Sequence, residues 1–270
     1  MNPEVSIITI NRNNAKGLEN TLKSIENQTY KNFELIVIDG NSSDKSVDVI
    51  NQHTPIINYW ISEPDKGIYN AMNKGIAKAT GTFCLFLNSG DCLAQKNSLE
   101  IFSNNIAENI DIYYGNIKYE NDAKEYEFNN HLSILDFVNN SIGHGASFIK
   151  TDLFEKFGNY NEENKIISDS EFFIKTIIVN NISYKHINEL ITIYQDGGVS
   201  VNPTFGLTTV KEREDAIKRL CPHYYQLIVD YQTTRDKYNY LIKTKPYKLY
   251  LRLKKIKSYI TGKSNSKTLQ

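Results

Sequence analysis

Cysteine, proline and tryptophan are scarce in this chain, with three Cys, six Pro and one Trp among 270 residues. Cys84, Cys92 and Cys221 form no CxxC pair and no even framework. That argues against a disulfide-built scaffold and a zinc site, and for a reducing compartment in which the three are core thiols. With only fourteen glycines as well, collagenous and low-complexity character are excluded. No window reaches about 18 apolar residues, and no basic stretch leads into an apolar run at the N-terminus. The sequence therefore offers neither a spanning helix nor a signal peptide, and the chain is expected in the cytoplasm.

Net charge is also lacking, with 31 basic and 31 acidic residues, but the balance is uneven. Residues 243–270 hold nine basic residues and no acid, so an acidic body carries a basic tail. At this length roughly 75% of the unfolded chain's surface can be buried, enough for a large core without staples.

The first hundred residues alternate strand and helix. Apolar runs at 5–10, 33–39, 58–61 and 83–87 read as strands, and 16–28, 44–52 and 67–79 read as helices between them. Strands this apolar predict a mostly parallel sheet with helices on both faces, an α/β fold. Further strands are expected at 110–120, with a Tyr-Gly-Asn kink, at 146–150 and at 187–194, and helices at 133–140 and 168–179. From Leu207 the pattern is helical, broken near Pro222 and Pro246.

Ligands of such sheets bind beyond the carboxyl ends of the strands. The candidates are therefore Asn11-Arg12-Asn13, the turn from Asp39 to Asp44, and Asn88-Ser89-Gly90-Asp91. Turn chemistry alone accounts for any one of them; acids at two of the three strand ends are less readily assigned to turns. Between Ser62 and Ile76, Ile68, Ala71, Met72 and Ile76 fall on one helical face and Asn70, Asn73 and Lys74 on another. With Asp65 as cap and Lys66 beside Gly67, the start of this helix suits a diphosphate, the alternative being an ordinary capped surface helix. Asp91, at a strand end near that seat, suits a hard divalent cation shared with phosphate oxygens.

Ser168 and Glu171 have capping-box spacing, which leaves Asp169 free to face a cleft as a general base. A helix start favours its ionised form and burial the neutral one. His144 is a lone histidine ahead of a strand, where a structural role is the commoner one, and His53, His131, His186 and His223 show no metal-ligand spacing.

In order, VSIITINRNN (5–14), FELIVIDGNSSDKS (33–46), SEPDKGIYNAMNKGIAKATG (62–81) and LFLNSGD (85–91) resemble the family 2 glycosyltransferases, inverting enzymes of the nucleotide-sugar-binding GT-A fold. The last two blocks resemble the subgroup of colanic-acid-type exopolysaccharide transferases. The likeness covers about residues 4–205 and implies a GT-A catalytic domain over 1–205, with 206–270 as a helical C-terminal extension. It implies that Thr9, Asn11, Arg12, Asn13 and Asp39 hold the nucleoside, Asp39 accepting from uracil N3–H of a UDP-sugar. Lys66, Gly67, Asn73 and the Asn88-Ser89-Gly90 turn would lie along the donor diphosphate and sugar. Asp91 would bind Mn²⁺ or Mg²⁺, Asp169 would take the acceptor hydroxyl's proton, His144 would lie on the acceptor side, and Gly197 and Gly198 would form a closing loop.

Three positions depart from the family pattern. Asn88 stands where acids are frequent, Asn70 where the subgroup has Asp, and Gly145 where Gln follows the matching histidine. The first two remove negative charge near the diphosphate, and the third reshapes the acceptor side.

In the tail, Leu249, Leu253, Ile256 and Ile260 recur at helical spacing among Lys and Arg, with Tyr247, Tyr250 and Tyr259 interleaved. Residues 243–263 are expected to lie on an anionic membrane surface, gaining about 1 kcal/mol per basic residue, unless the stripe packs on protein. No nucleic-acid-binding module accompanies the basic run. The expectation is an inverting hexosyl- or N-acetylhexosaminyltransferase, a homo-oligomer peripheral on the inner membrane face and acting on a lipid-linked saccharide. The alternatives are a catalytically inactive assembly partner and a sugar nucleotidyltransferase, although INRNN is not the Gly-rich basic loop the latter requires.

Overall fold

A computed structural model describes residues 3–198 and 203–261, which form two compact units, Met1–Leu220 and Cys221–Gln270. The first begins β1 (Val5–Asn11), α1 (Ala15–Glu26), β2 (Phe33–Asp39), α2 (Ser46–Gln52), β3 (Tyr59–Ser62), α3 (Ile68–Ile76), β4 (Phe83–Phe86). These strands pair in parallel in the order β3-β2-β1-β4. Every residue of β1 is buried, as its continuous apolar run requires when both faces are covered. Leu18, Leu22 and Ile25 of α1 share one buried face. The register aligns Asn11 with Asp39 and Asp39 with Ser62, so the polar residues that end three strands meet at one edge.

The second part holds β5 (Cys92–Leu93), α4 (Ser98–Asn105), β6 (Ile112–Tyr119), β7 (Glu125–Tyr126), α5 (Ile134–Asn139), β8 (Ser147–Lys150), α6 (Asp152–Phe157), α7 (Ser168–Phe173), β9 (Tyr184–Tyr194) and α8 (Gly206–Leu220). All strands join one nine-stranded sheet of order β3-β2-β1-β4-β8-β6-β9-β5, with β7 paired to β6. β8 runs antiparallel to both β4 and β6, whereas β6 and β9 are parallel. The β6–β9 register slips between Gly115 and Ile117, at the expected Tyr-Gly-Asn kink. Core aromatics cluster under this half, Phe102 stacking on Phe148 with ring centroids 3.8 Å apart.

The capping box expected at α7 does not form. Ile167 is the N-cap, the Ser168 hydroxyl is buried without a partner, and Glu171 is instead drawn to Asn164 and Arg219. Beyond α7 the helix continues as a π-helical segment, Ile174–Val179.

The second unit comprises α9 (Pro222–Lys243) and α10 (Lys245–Thr261), and Pro222 starts α9 at a position where its missing N–H costs nothing. Leu249, Tyr250 and Leu253 of the expected stripe are exposed. The side chains of Ile256, Tyr259 and Ile260 lie outside the described residues, as do Val199, Ser200, Lys263 and Lys267. Among the described residues no helix is long and apolar enough to cross a membrane.

Candidate active site

A cleft of about 560 Å³ opens at the carboxyl ends of β1 and β4. It brings together Asn11, Arg12, Gly67, Asn88, Ser89, Asp91, His144, Asp169, Gly197 and Gly198, ten of the residues singled out in the sequence. Thr9, Asn13, Asp39, Lys66, Asn73 and Gly90 do not line it.

Asp39 lies one layer behind the wall, fully buried. Its Oδ1 accepts from Asn11 Nδ2 at 2.7 Å and Ser42 Oγ at 2.6 Å, and its Oδ2 from Ser42 N at 2.9 Å and Ser62 Oγ at 2.6 Å. Burial pushes this carboxyl upward, and the hydrogen bonds more than offset it, leaving it below the ordinary carboxylate range. The pairing fixes the Asn11 amide and leaves Asn11 Oδ1 buried and unpartnered, as is Thr9 Oγ1. Asn13, at φ 51°, accepts from Ser43 N and receives no place in the wall. Asn73 is occupied elsewhere: its Oδ1 accepts from Tyr160 N and its Nδ2 donates to Tyr160 O and Glu162. It fastens the 160–162 loop to α3, while Lys66 is exposed.

Past β4 the chain stays beside β1, with Ser89 N donating to Ile10 O, and turns at Gly90. Gly90 has φ 105°, and a Cβ there would overlap the Gln195 side chain, so the turn requires glycine. It presents Asp91, whose Oδ1 accepts from Gln195 N at 3.1 Å. Burial pushes Asp91 up to about 6, against the pull of His144 and the Gln195 N–H. No group of three or more His, Cys, Asp or Glu side chains gathers into a metal site among the described residues. A hard cation nevertheless fits Asp91: a desolvated carboxylate gains from a positive charge, and one protein oxygen leaves coordination positions for phosphate.

Opposite groups converge on Asp169, in the first turn of α7. Its Oδ2 lies 3.3 Å from His144 Nδ1, and its Oδ1 lies 2.9 Å from the Tyr69 hydroxyl, which also donates to Ile166 O at 2.6 Å. Burial raises Asp169, and His144 and Tyr69 outweigh it, so the carboxyl sits below its ordinary value. Burial lowers His144, and Asp169 with Asp91 reverses that, so the imidazole sits above its own. The competition that the sequence left open is thus decided by a histidine rather than by the helix start. His144 Nε2 lies 3.1 Å from Asn88 Nδ2. In this orientation Nε2 accepts and Nδ1–H points to Asp169; turning the amide over would offer its buried, unpartnered Oδ1 to a protonated Nε2.

Gly145 and Tyr194 account for each other. A Cβ at 145 would lie 2.7 Å from Tyr194 Cε1, and the Tyr194 hydroxyl accepts the Gly145 N–H at 2.9 Å. The Tyr194 ring stacks on His144 and lines the cleft. Sequence reasoning missed Tyr194, Tyr69, Asn14 and Gln195. Tyr69 was left out of the stripe of Ile68, Ala71, Met72 and Ile76 read for α3, although it is buried with that face, and the end of β9 was the signal for Tyr194 and for Gln195 just beyond it. At Gly197, φ is 78° and the space a Cβ would enter is open.

Residues 6–175 match the family model Glycosyl transferase family 2. The PGL/p-HBAD biosynthesis glycosyltransferase of Mycobacterium bovis (strain BCG / Pasteur 1173P2) is 30% identical over 223 residues, 81% of this chain and 84% of that one. The GalNAc(5)-diNAcBac-PP-undecaprenol beta-1,3-glucosyltransferase of Campylobacter jejuni is 30% identical over 177 residues, 60% of this chain and 56% of that one. Among solved structures, S. aureus TarS 1-349 in complex with UDP-GlcNAc superposes with TM-score 0.65 at 18% identity, covering 81% of this chain and 67% of that one. Mannosyltransferase PcManGT from Pyrobaculum calidifontis, in complex with GDP-Man and Mn²⁺, superposes with TM-score 0.54 at 15% identity, covering 93% and 83%. The two structures share the fold.

Proposed function

The chain belongs to glycosyltransferase family 2, and on that premise we propose that it transfers a hexosyl or N-acetylhexosaminyl unit, with inversion, from a UDP-sugar to a hydroxyl of a lipid-linked bacterial surface glycan. The observation that carries the reading is the convergence in one cleft of strand-end Asn11, the buried carboxylate of Asp91, and Asp169 held between His144 and Tyr69. Asn11, backed by Asp39, and Arg12 receive the nucleoside end. Asp169, kept ionised, accepts the acceptor hydroxyl's proton as its oxygen attacks the anomeric carbon, and His144 and Tyr69 hold the carboxylate in line. A Mn²⁺ or Mg²⁺ ion held by Asp91 and the donor phosphates supplies positive charge against the leaving diphosphate. Gly197 and Gly198, at the cleft rim, give the loop after β9 freedom to close.

The C. jejuni relative's undecaprenol-linked substrate supports a lipid-linked acceptor. Basic α10, with Leu249, Tyr250 and Leu253 exposed, suits the inner face of an anionic membrane. Exposed Tyr224, Leu227 and Tyr231 on α9 suit a second copy of the chain.

The test is binding and hydrolysis across a panel of nucleotide sugars, with and without Mn²⁺, for wild type, Asp91→Ala and Asp169→Ala. One UDP-sugar is expected to bind and turn over slowly with metal, with Asp91→Ala weakening binding and Asp169→Ala sparing it but losing turnover. Absence of binding to every donor under every metal condition refutes the reading.

A further inference from the structure

The segment that carries Asp169 is gripped at both ends by α8, a helix beyond residues 6–175 of the family match. At the near end, Glu212 Oε1 accepts the Lys165 N–H at 2.8 Å and Oε2 accepts the Ile166 N–H at 3.0 Å. Ile166 and Ile167 pack against Ala216 of the same helix in a small buried cluster. At the far end, Arg219 pairs with Glu171 at 2.8 Å.

Residues 165–167 belong to no helix or strand, so no ladder fixes them. Their geometry matters because the Ile166 carbonyl accepts the Tyr69 hydroxyl that also meets Asp169 Oδ1. A carboxylate receiving two backbone N–H groups is a strong, directional restraint, and a base must stay within hydrogen-bond reach of the proton it takes. Glu212 does not line the cleft, so it acts through other groups.

We propose that Glu212 is a positioning residue of the transfer reaction: it fixes the 165–166 backbone from which Tyr69 and Asp169 take their places. The inference rests on the reading of Asp169 as the base. Asp169 is faced by Tyr69 from α3, His144 from the turn before β8, Tyr160 from the loop before α7 and Tyr194 from β9.

The experiment measures UDP release by the full chain, from the UDP-sugar that wild type hydrolyses, for Glu212→Gln, Glu212→Ala and Asp169→Asn. Glu212→Gln is expected to lower kcat on the order of tenfold and Glu212→Ala nearer a hundredfold, with donor KM unchanged and Tm held in Glu212→Gln. Wild-type kcat in both Glu212 variants, beside an inactive Asp169→Asn, overturns this inference alone. Full activity in Asp169→Asn overturns the base assignment, and the positioning role falls with it.

Discussion

Asp91→Asn should make the metal-free protein more stable at neutral pH while removing its response to divalent cations. Burial lifts the Asp91 carboxyl from 3.8 to about 6. At 1.36 kcal/mol per pH unit, that gap makes the ionised group cost the apoprotein on the order of 3 kcal/mol. The native state holds this proton more tightly than the unfolded chain, so the group's contribution falls as pH rises from about 3.8 to about 6 and is level above. Asparagine imitates the neutral acid in shape and keeps an oxygen for the Gln195 N–H. At pH 7.5 in EDTA the variant should therefore melt roughly 6–12 °C above wild type, taking 2–4 °C per kcal/mol for a domain of this size, and the gap should close by pH 4. With MnCl₂ and UDP the order should reverse, because only wild type gains from binding. Thermal melts at pH 4, 6 and 7.5, with and without metal, make the check. A variant less stable than wild type at pH 7.5 in EDTA, or a gap independent of pH, refutes the reasoning.

Asp39→Asn should destabilise by roughly 2–4 kcal/mol in urea denaturation, because an amide –NH₂ would face donors that now meet a carboxylate oxygen; a loss under 1 kcal/mol would contradict this. Since Asp39 sits below its ordinary value, its contribution is present above pH 3.8 and lost on acidification through its folded pKa. Histidine NMR should show His144 titrating above 6.5 in wild type and below it in Asp169→Asn, where burial acts with less opposition; an unchanged midpoint would remove Asp169 as the cause. In wild type, protonated His144 contributes stability below pH 6.5 that is lost as pH rises through the raised value. Gly75→Ala should cost about 1–3 kcal/mol by overpacking, since its Cβ would overlap Ile8 Cγ2 where α3 crosses β1; unaltered thermal stability would show that α3 can shift freely.

The first four strands were legible because a strand covered on both faces has to be continuously apolar, and runs such as FELIVID admit few other placements. Strand direction was not legible. The apolar stretch of β8 is the same read either way, and only the path of the chain after α5 makes it antiparallel to β4. Short elements such as β5 and β7, two residues each, have too little pattern to register. Asn11, Arg12, Asn88, Ser89 and Asp91, at the ends of β1 and β4, reached the cleft as the strand-end rule requires, whereas Asn13 and Gly90 of the same turns did not, nor did Asn73 and Lys66 of the α3 segment. Spacing assigns a face of a helix; it does not say which partner has already claimed that face, and here the backbone of Tyr160 has claimed Asn73.

The same limit explains why the departures at 88 and 145 looked like simple losses in the sequence. Asn88 in place of an acid removes a charge, but it also places an amide against His144 Nε2, and an amide can present either a donor or an acceptor there. Gly145 in place of a larger residue removes a side chain, and the ring of Tyr194, forty-nine residues away, fills the space and stacks on that same histidine. Each change is one half of an exchange whose other half is distant in sequence, His144 for Asn88 and Tyr194 for Gly145. Both exchanges end on His144, which sets the charge state of Asp169. Two of the three departures therefore meet at one imidazole, beside the carboxylate proposed as the base, while Asn70 instead donates to Glu162.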